Sequence, residues 1–100
     1  MRFEMKQVQR EIEAASIALG FPRKVSCRQV ERECFQLQAR LRRSEAILKP
    51  GPKRDRWLAI ANLLMLMELS RTLDGRIAAL RSDVTERSVR LRELVAKAAA

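Results

Sequence analysis

The hydrophobic positions of this chain recur at alternating steps of three and four residues, in three separate stretches. This spacing places apolar side chains on one narrow face of an α-helix and is typical of helices that pack along a seam. No stretch alternates apolar and polar residues as a half-buried β-strand does. The pattern therefore predicts an all-α protein, with helices at about 2–19, 26–48 and 53–98.

The interruptions of this pattern mark the helix boundaries. Gly20 follows the first stretch and can adopt the left-handed conformation that ends many helices, and Pro22 cannot continue one. Ser26 is a suitable N-cap for the second helix, with Gln29 three residues later to complete a capping box. The basic linker 49–54, which contains two prolines around a glycine, separates the second helix from the third.

The third stretch contains one ambiguous point, the turn dipeptide Asp74-Gly75. The alternation of three and four runs through it unbroken, which favours one continuous, coiled-coil-like helix over two helices. From Asp55 to Ala98 such a helix would be about 65 Å long. The short linker predicts an antiparallel hairpin of the second helix with the first half of the third. The first helix would either lie beside this hairpin, as a three-helix bundle, or pack end-on to the second helix.

The segment 57–69 is apolar on nearly every side, since Asn62 and Glu68 are its polar members. Such a helix must be covered on several sides, which predicts a bundle of at least three helices or a dimer. The predicted helix-packing or oligomer seam consists of Leu63, Leu66, Leu73, Ile77, Leu80, Val84, Leu91 and Leu94. Its later part outruns the other two helices, so we expect a homo-oligomer, most simply a dimer. Ser70 and Arg87 interrupt the seam and either set its register or face solvent.

Length and composition agree with one helical domain covering residues 1–100. Hydrophobic residues make up 47% and charged residues 33%, with only 3 glycines and 3 prolines. The two cysteines, Cys27 and Cys34, are two helical turns apart, about 10 Å, which is too far for a disulfide between them. They are expected to be reduced core residues of a cytoplasmic protein; a redox or intermolecular role is the alternative.

Several kinds of chemistry lack their usual residues here. The chain has no histidine, its glycines are isolated, and its carboxylates have basic neighbours three or four residues away. These features predict a protein that is not an enzyme and that binds neither a metal nor a cofactor. The apolar segment 57–69 is shorter than the roughly 20 residues needed to span a membrane, and no apolar secretory signal is present. No membrane association is expected.

The charge is strongly positive and uneven. The chain carries a net charge of +9, and residues 40–56 hold seven basic residues against two acidic ones, a net charge of +5. These basic residues, here called the basic end, are Arg40, Arg42, Arg43, Lys49, Lys53, Arg54 and Arg56. They are candidates for binding an anion or an acidic partner. Compensation of the helix dipole, together with solubility, is the alternative.

Two functions are compatible with these features. The first is a small helical protein–protein interaction module, such as an adaptor, chaperone or regulator, that acts through coiled-coil-like packing. Its partner would present an acidic or apolar helical surface. The second is a basic nucleic-acid-binding protein that uses the arginine-rich end of the hairpin. The few aromatic residues offer no stacking platform for bases, which favours the first.

Overall fold

The chain is all-helical wherever the structure describes it. The structure is a computed structural model and describes residues 5–72 and 80–99, with side chains for residues 6–71 and 87–99. These residues form four α-helices and no strand, which confirms the predicted all-α class. The helices are α1 (Met5–Ala18), α2 (Cys27–Arg43), α3 (Pro52–Thr72) and α4 (Leu80–Ala99).

α1 ends in a Schellman motif at the glycine that the sequence marks. The Gly20 amide donates to the Ile17 carbonyl at 3.0 Å, and the Phe21 amide donates to the Ser16 carbonyl at 2.8 Å. Gly20 has a φ of +87°, a left-handed conformation that glycine adopts without the steric cost of a Cβ. Two of the last carbonyls of α1 are thus satisfied by backbone donors.

α2 and α3 both begin at residues suited to a helix start. The Ser26 hydroxyl accepts a hydrogen bond from the Gln29 amide at 3.1 Å, so Ser26 is the predicted N-cap of α2. In α3, Pro52 is the first helical residue, where its missing N–H removes no hydrogen bond. The Asp55 amide donates to the Gly51 carbonyl at 2.9 Å and closes the first turn.

The end predicted for α2, near residue 48, is wrong. The helix stops at Arg43, because the chain turns into a left-handed conformation at Glu45, where φ is +56°. The Ala46 amide donates to the Leu41 carbonyl at 2.8 Å, which gives the same capping pattern as at the end of α1. Glu45 occupies the left-handed position after the helix end, where glycine is the usual residue, so the residue type does not indicate the turn.

The continuous third helix over 53–98 is also wrong. Lys97 Nζ of α4 lies 3.7 Å from Asp55 Oδ1 of α3, whereas one straight helix would separate these residues by about 63 Å. Arg87 likewise reaches Met65, with 3.2 Å between its NH1 atom and the Met65 sulfur. α3 and α4 are therefore antiparallel neighbours, and the predicted three helices become four. The Asp-Gly dipeptide at 74–75 lies outside the described residues.

The unbroken alternation of apolar residues led to the prediction of one long helix for a physical reason. The pattern reports which face of a helix is apolar, and two helices that pack on one core can carry it in the same phase. It does not report whether the chain reverses between them. Arg87, which interrupts the predicted seam, is half-buried, and Ser70 donates its hydroxyl to the Met67 carbonyl at 2.9 Å.

α3 is the central helix of the bundle. It packs against α1, α2 and α4, and α1 also packs against α4. Its buried residues are Ala59, Ile60, Leu63, Leu66 and Met67. The apolar segment 57–69 is therefore covered on several sides by helices of its own chain, as its composition required. The predicted bundle supplies this cover without a second copy.

Contacts at the start of α3 gather several helix ends at one end of the bundle. Arg56 donates from its NH2 atom to the Leu19 carbonyl at the end of α1, at 2.8 Å. Asp55 contacts Lys97 in the last turn of α4. The end of α2 leads into the same place through the linker. The C-terminal ends of α1, α2 and α4 thus surround the N-terminal end of α3.

Candidate functional site

The basic-end residues lie at this end of the bundle. Their side chains come from the last turn of α2, from the linker, and from the first turns of α3. The exposed members are Arg40, Arg42, Arg43, Lys49, Lys53 and Arg56, and Arg54 is half-buried. The sequence grouped these residues because they flank one linker of a predicted hairpin, and in the structure they lie on the two helix ends that this linker joins.

The positive charge of the basic end is not neutralised by its own carboxylates. Asp55 is paired with Lys97, and Glu45 forms no ion pair with any described residue. Among the described residues, no ion pair involves any of six basic-end residues: Arg40, Arg42, Arg43, Lys49, Lys53 and Arg54. The other ion pairs, Arg23–Glu13, Arg90–Glu93 and Arg92–Glu11, lie elsewhere on the bundle. The basic end thus carries a surplus of positive charge that no described carboxylate pairs with.

Arg56 differs from the other members of the basic end. Its guanidinium donates a charge-assisted hydrogen bond to the Leu19 carbonyl, a group that the helical ladder of α1 leaves without a donor. Arg56 therefore ties α1 to α3. We assign it a structural role, which its place in a run of basic residues could not reveal.

The linker places one apolar side chain among the cations. Leu48 is 82% exposed, the highest exposure of any large hydrophobic residue with a described side chain. The sequence pattern predicted it inside the second helix, over about 26–48, but α2 ends five residues earlier. Its position follows from the left-handed turn at Glu45, which redirects the chain before the helix can continue. Lys97, contributed by α4, was also missed, because it belongs to a different part of the chain.

The described residues of the predicted seam lie inside the molecule. Leu63, Leu66, Leu91 and Leu94 are at most 5% exposed and share one core with α1 and α2 residues. The remaining seam residues, Leu73, Ile77, Leu80 and Val84, have side chains outside the described part. The four described seam residues thus pack helices of the same chain against one another. The dimer stays a prediction, and the described seam residues give it no free apolar surface.

The two cysteines are free and occupy different environments. Cys27 is half-buried at the start of α2, and Cys34 is buried beside Trp57. Burial raises the pKa of the Cys34 thiol; the Trp57 N–H opposes this rise, and the charge of Glu31 adds to it. The Trp57 Nε1 atom is buried and has no oxygen or nitrogen acceptor among the described residues. The Cys34 sulfur, a weak acceptor, lies beside it. This environment keeps Cys34 protonated and fits a core residue.

Two of the clefts in the described part lie away from the basic end. One, of about 490 Å³, lies between α1, the chain around Arg23 and the end of α3, and the Arg23–Glu13 ion pair borders it. The other, of about 290 Å³, lies between α1 and α4 and is lined largely by alanine and valine. Within the described residues, no group of histidine, cysteine, aspartate or glutamate side chains is arranged to hold a metal ion.

Comparisons with protein-family models, with curated proteins and with solved structures find no match to this chain. No helix in the described part combines the length and the apolar character needed to cross a membrane.

Proposed function

We propose that this protein is a non-catalytic binding module that recognises an acidic segment of a protein partner through its basic end. The observation that carries this proposal is the set of six basic side chains that share one end of the bundle and have no ion-pair partner among the described residues. Arginine and lysine there can meet carboxylates without first breaking an internal ion pair.

The structure changes how such a module would bind. A coiled-coil-like partner would need the apolar seam, but the described seam residues are occupied within the bundle. An acidic ligand at the basic end needs no rearrangement of the core. The broader roles predicted from the sequence, adaptor, chaperone or regulator, all agree with binding of this kind and stay predictions.

Leu48 favours a protein ligand over a nucleic acid. An exposed leucine among cations can bury its side chain against an apolar residue of an acidic peptide. Phosphates would use the same cations but leave Leu48 unused, and bases would find no exposed aromatic ring within residues 40–56. Nucleic-acid binding remains the second candidate, because the same uncompensated cations support it.

Charge reversal at four residues tests the proposal. The test variant carries Arg40→Glu, Arg43→Glu, Lys49→Glu and Lys53→Glu. The control carries Lys6→Glu, Arg10→Glu, Lys24→Glu and Arg71→Glu, which are also exposed and outside the ion pairs. Both variants change the net charge equally and include residues in a first turn, a last turn and a linker. Arg56 is left unchanged because it holds α1.

We expect the test variant to bind a fluorescein-labelled glutamate-rich peptide at least about tenfold more weakly than the wild type, as measured by anisotropy. The control variant should lose much less affinity. Equal losses would mean that only net charge matters and would contradict the proposal. A labelled DNA duplex serves as the comparison ligand. Tight duplex binding that falls steeply with salt, without peptide binding, would establish the nucleic-acid alternative instead.

A further inference from the structure

The outward face of α2 is a second feature that the bundle leaves uncovered. Among the described helices, α2 packs only against α3, through a narrow stripe that includes Val30, Cys34 and Leu41. On the opposite side five residues follow one another at steps of four, three, four and three, and all five are exposed. These residues, here called the arginine stripe, are Arg28, Arg32, Phe35, Ala39 and Arg42.

The composition of the arginine stripe is unusual for a solvated helix face. It contains no carboxylate, and its three arginines form no ion pair among the described residues. At its centre Phe35 is 57% exposed, and Ala39, one turn further along the helix, is also exposed. An apolar centre between cations resembles the layout of a binding face.

We infer that the arginine stripe docks an acidic amphipathic helix of a partner protein, with glutamates opposite the arginines and an apolar residue against Phe35. This inference rests on the proposed function and extends it, since it names the form of the acidic partner. Arg42 belongs to both surfaces, so one partner helix could run along α2 and reach the basic end. The stripe from Arg28 to Arg42 is about 21 Å long, which matches about four turns of a partner helix.

A helical partner fits this face because its side chains recur with the same helical period as those of α2. Side chains at steps of three and four on a partner helix lie at the same intervals as the arginines of α2, so several glutamates can each meet an arginine. The same spacing brings an apolar side chain onto Phe35 and Ala39. Burial of this small apolar centre adds affinity that an acidic segment without an apolar residue could not obtain.

The surroundings of the stripe disfavour two other occupants. At 100° per residue, the exposed Glu31 lies about 20° outside the stripe, on the side of Arg42. Its carboxylate would repel the phosphates of a nucleic acid, whereas a lysine or arginine of a protein helix could pair with it. A second copy of this chain would bring arginines against arginines. Charge complementarity therefore selects an acidic protein helix.

The test uses two labelled peptide probes of equal charge. One is a helical peptide with glutamates along one face and a single leucine at the centre of that face. The other replaces that leucine with serine. Two protein variants probe the stripe outside the basic end: the double reversal Arg28→Glu with Arg32→Glu, and Phe35→Ser. Their matched controls lie on α1: Lys6→Glu with Arg10→Glu has the same four-residue spacing, and Ile17→Ser removes a side chain that is 55% exposed.

We expect the double reversal to weaken binding of the leucine peptide at least about tenfold. Phe35→Ser should weaken it about fivefold and should abolish the preference for leucine over serine. Both α1 controls should bind as the wild type does. Circular dichroism melting of each variant checks folding, and an intact helical signal is expected because all the changed side chains face solvent.

Three results would overturn the inference. If the stripe variants bind the leucine peptide as the wild type does while the basic-end reversals abolish binding, the partner stops at the basic end and the proposed function stands. If the stripe variants lose affinity for a DNA duplex but not for the peptide, the face binds nucleic acid. If wild-type protein binds the leucine and serine peptides equally, Phe35 contributes no contact and the amphipathic helix is the wrong ligand.

Discussion

α2 and α3 are adjacent antiparallel helices with opposite surroundings. α3 packs against the three other described helices and buries five side chains, those of Ala59, Ile60, Leu63, Leu66 and Met67. Among the described helices α2 packs against α3 alone, and its outer side carries arginines and an exposed phenylalanine. The contrast separates two roles. α3 contributes much of the burial that holds the bundle together, whereas we expect the exposed side of α2 and the basic-end residues other than Arg56 to contribute little to stability.

The sharpest test of this contrast places a charge on each helix. Leu66→Asp should destabilise the protein by about 3–5 kcal/mol, because Leu66 is fully buried and an unpaired carboxylate there has no compensation. A loss of that size approaches the whole stability of a small domain. Phe35→Asp on α2 should change the unfolding free energy by less than about 0.5 kcal/mol. Urea unfolding followed by circular dichroism measures both. Similar losses would mean that α2 is not an outer helix.

A second test compares two basic residues that lie three apart at the start of α3. Arg56→Met should cost about 1.5 kcal/mol in unfolding free energy, because it leaves the Leu19 carbonyl without its charged donor. Lys53→Met should cost less than about 0.5 kcal/mol, since Lys53 is exposed and forms no ion pair. Equal effects at the two positions would show that Arg56 is an ordinary surface cation.

The smallest expected effects concern the two left-handed residues that end α1 and α2. Glu45→Gly should stabilise the protein by about 0.5–1 kcal/mol, since glycine adopts a positive φ without the cost that a side chain brings. Gly20→Ala should destabilise it by about 1 kcal/mol for the converse reason, although an added Cβ would meet open space. Thermal melting of both variants gives the signs. A destabilised Glu45→Gly protein would argue that the glutamate side chain makes a contact that holds this turn.

The sequence predicted the structure correctly where a residue type strongly favours one structural role. Gly20 and Ser26 marked a helix end and a helix start, and the apolar segment 57–69 required cover on several sides. The sequence-based prediction failed where one sequence pattern is compatible with two structures. Glu45 gave no sign of a left-handed turn, and the continuous apolar phase could not distinguish one long helix from two antiparallel ones.

At the basic end, too, some features were predictable from the sequence and others were not. The charge density of residues 40–56 located it, because the linker and its flanking turns are neighbours along the chain. The separate role of Arg56, the pairing of Asp55 with Lys97 and the exposure of Leu48 all depend on contacts or turns formed in three dimensions. No count of charges could have distinguished Arg56 from Lys53.

The place of α1 in the bundle has a consequence for the order of folding. α2 with α3, and α3 with α4, are neighbours along the chain, so these pairs close short loops at a small entropic cost. The contact of Glu11 with Arg92, at 3.0 Å, joins residues separated by most of the chain. Docking of α1 therefore closes the longest loop and should come last. By the same reasoning, amide hydrogens in α1 should exchange before those of α3, because α1 can detach while the other three helices stay packed.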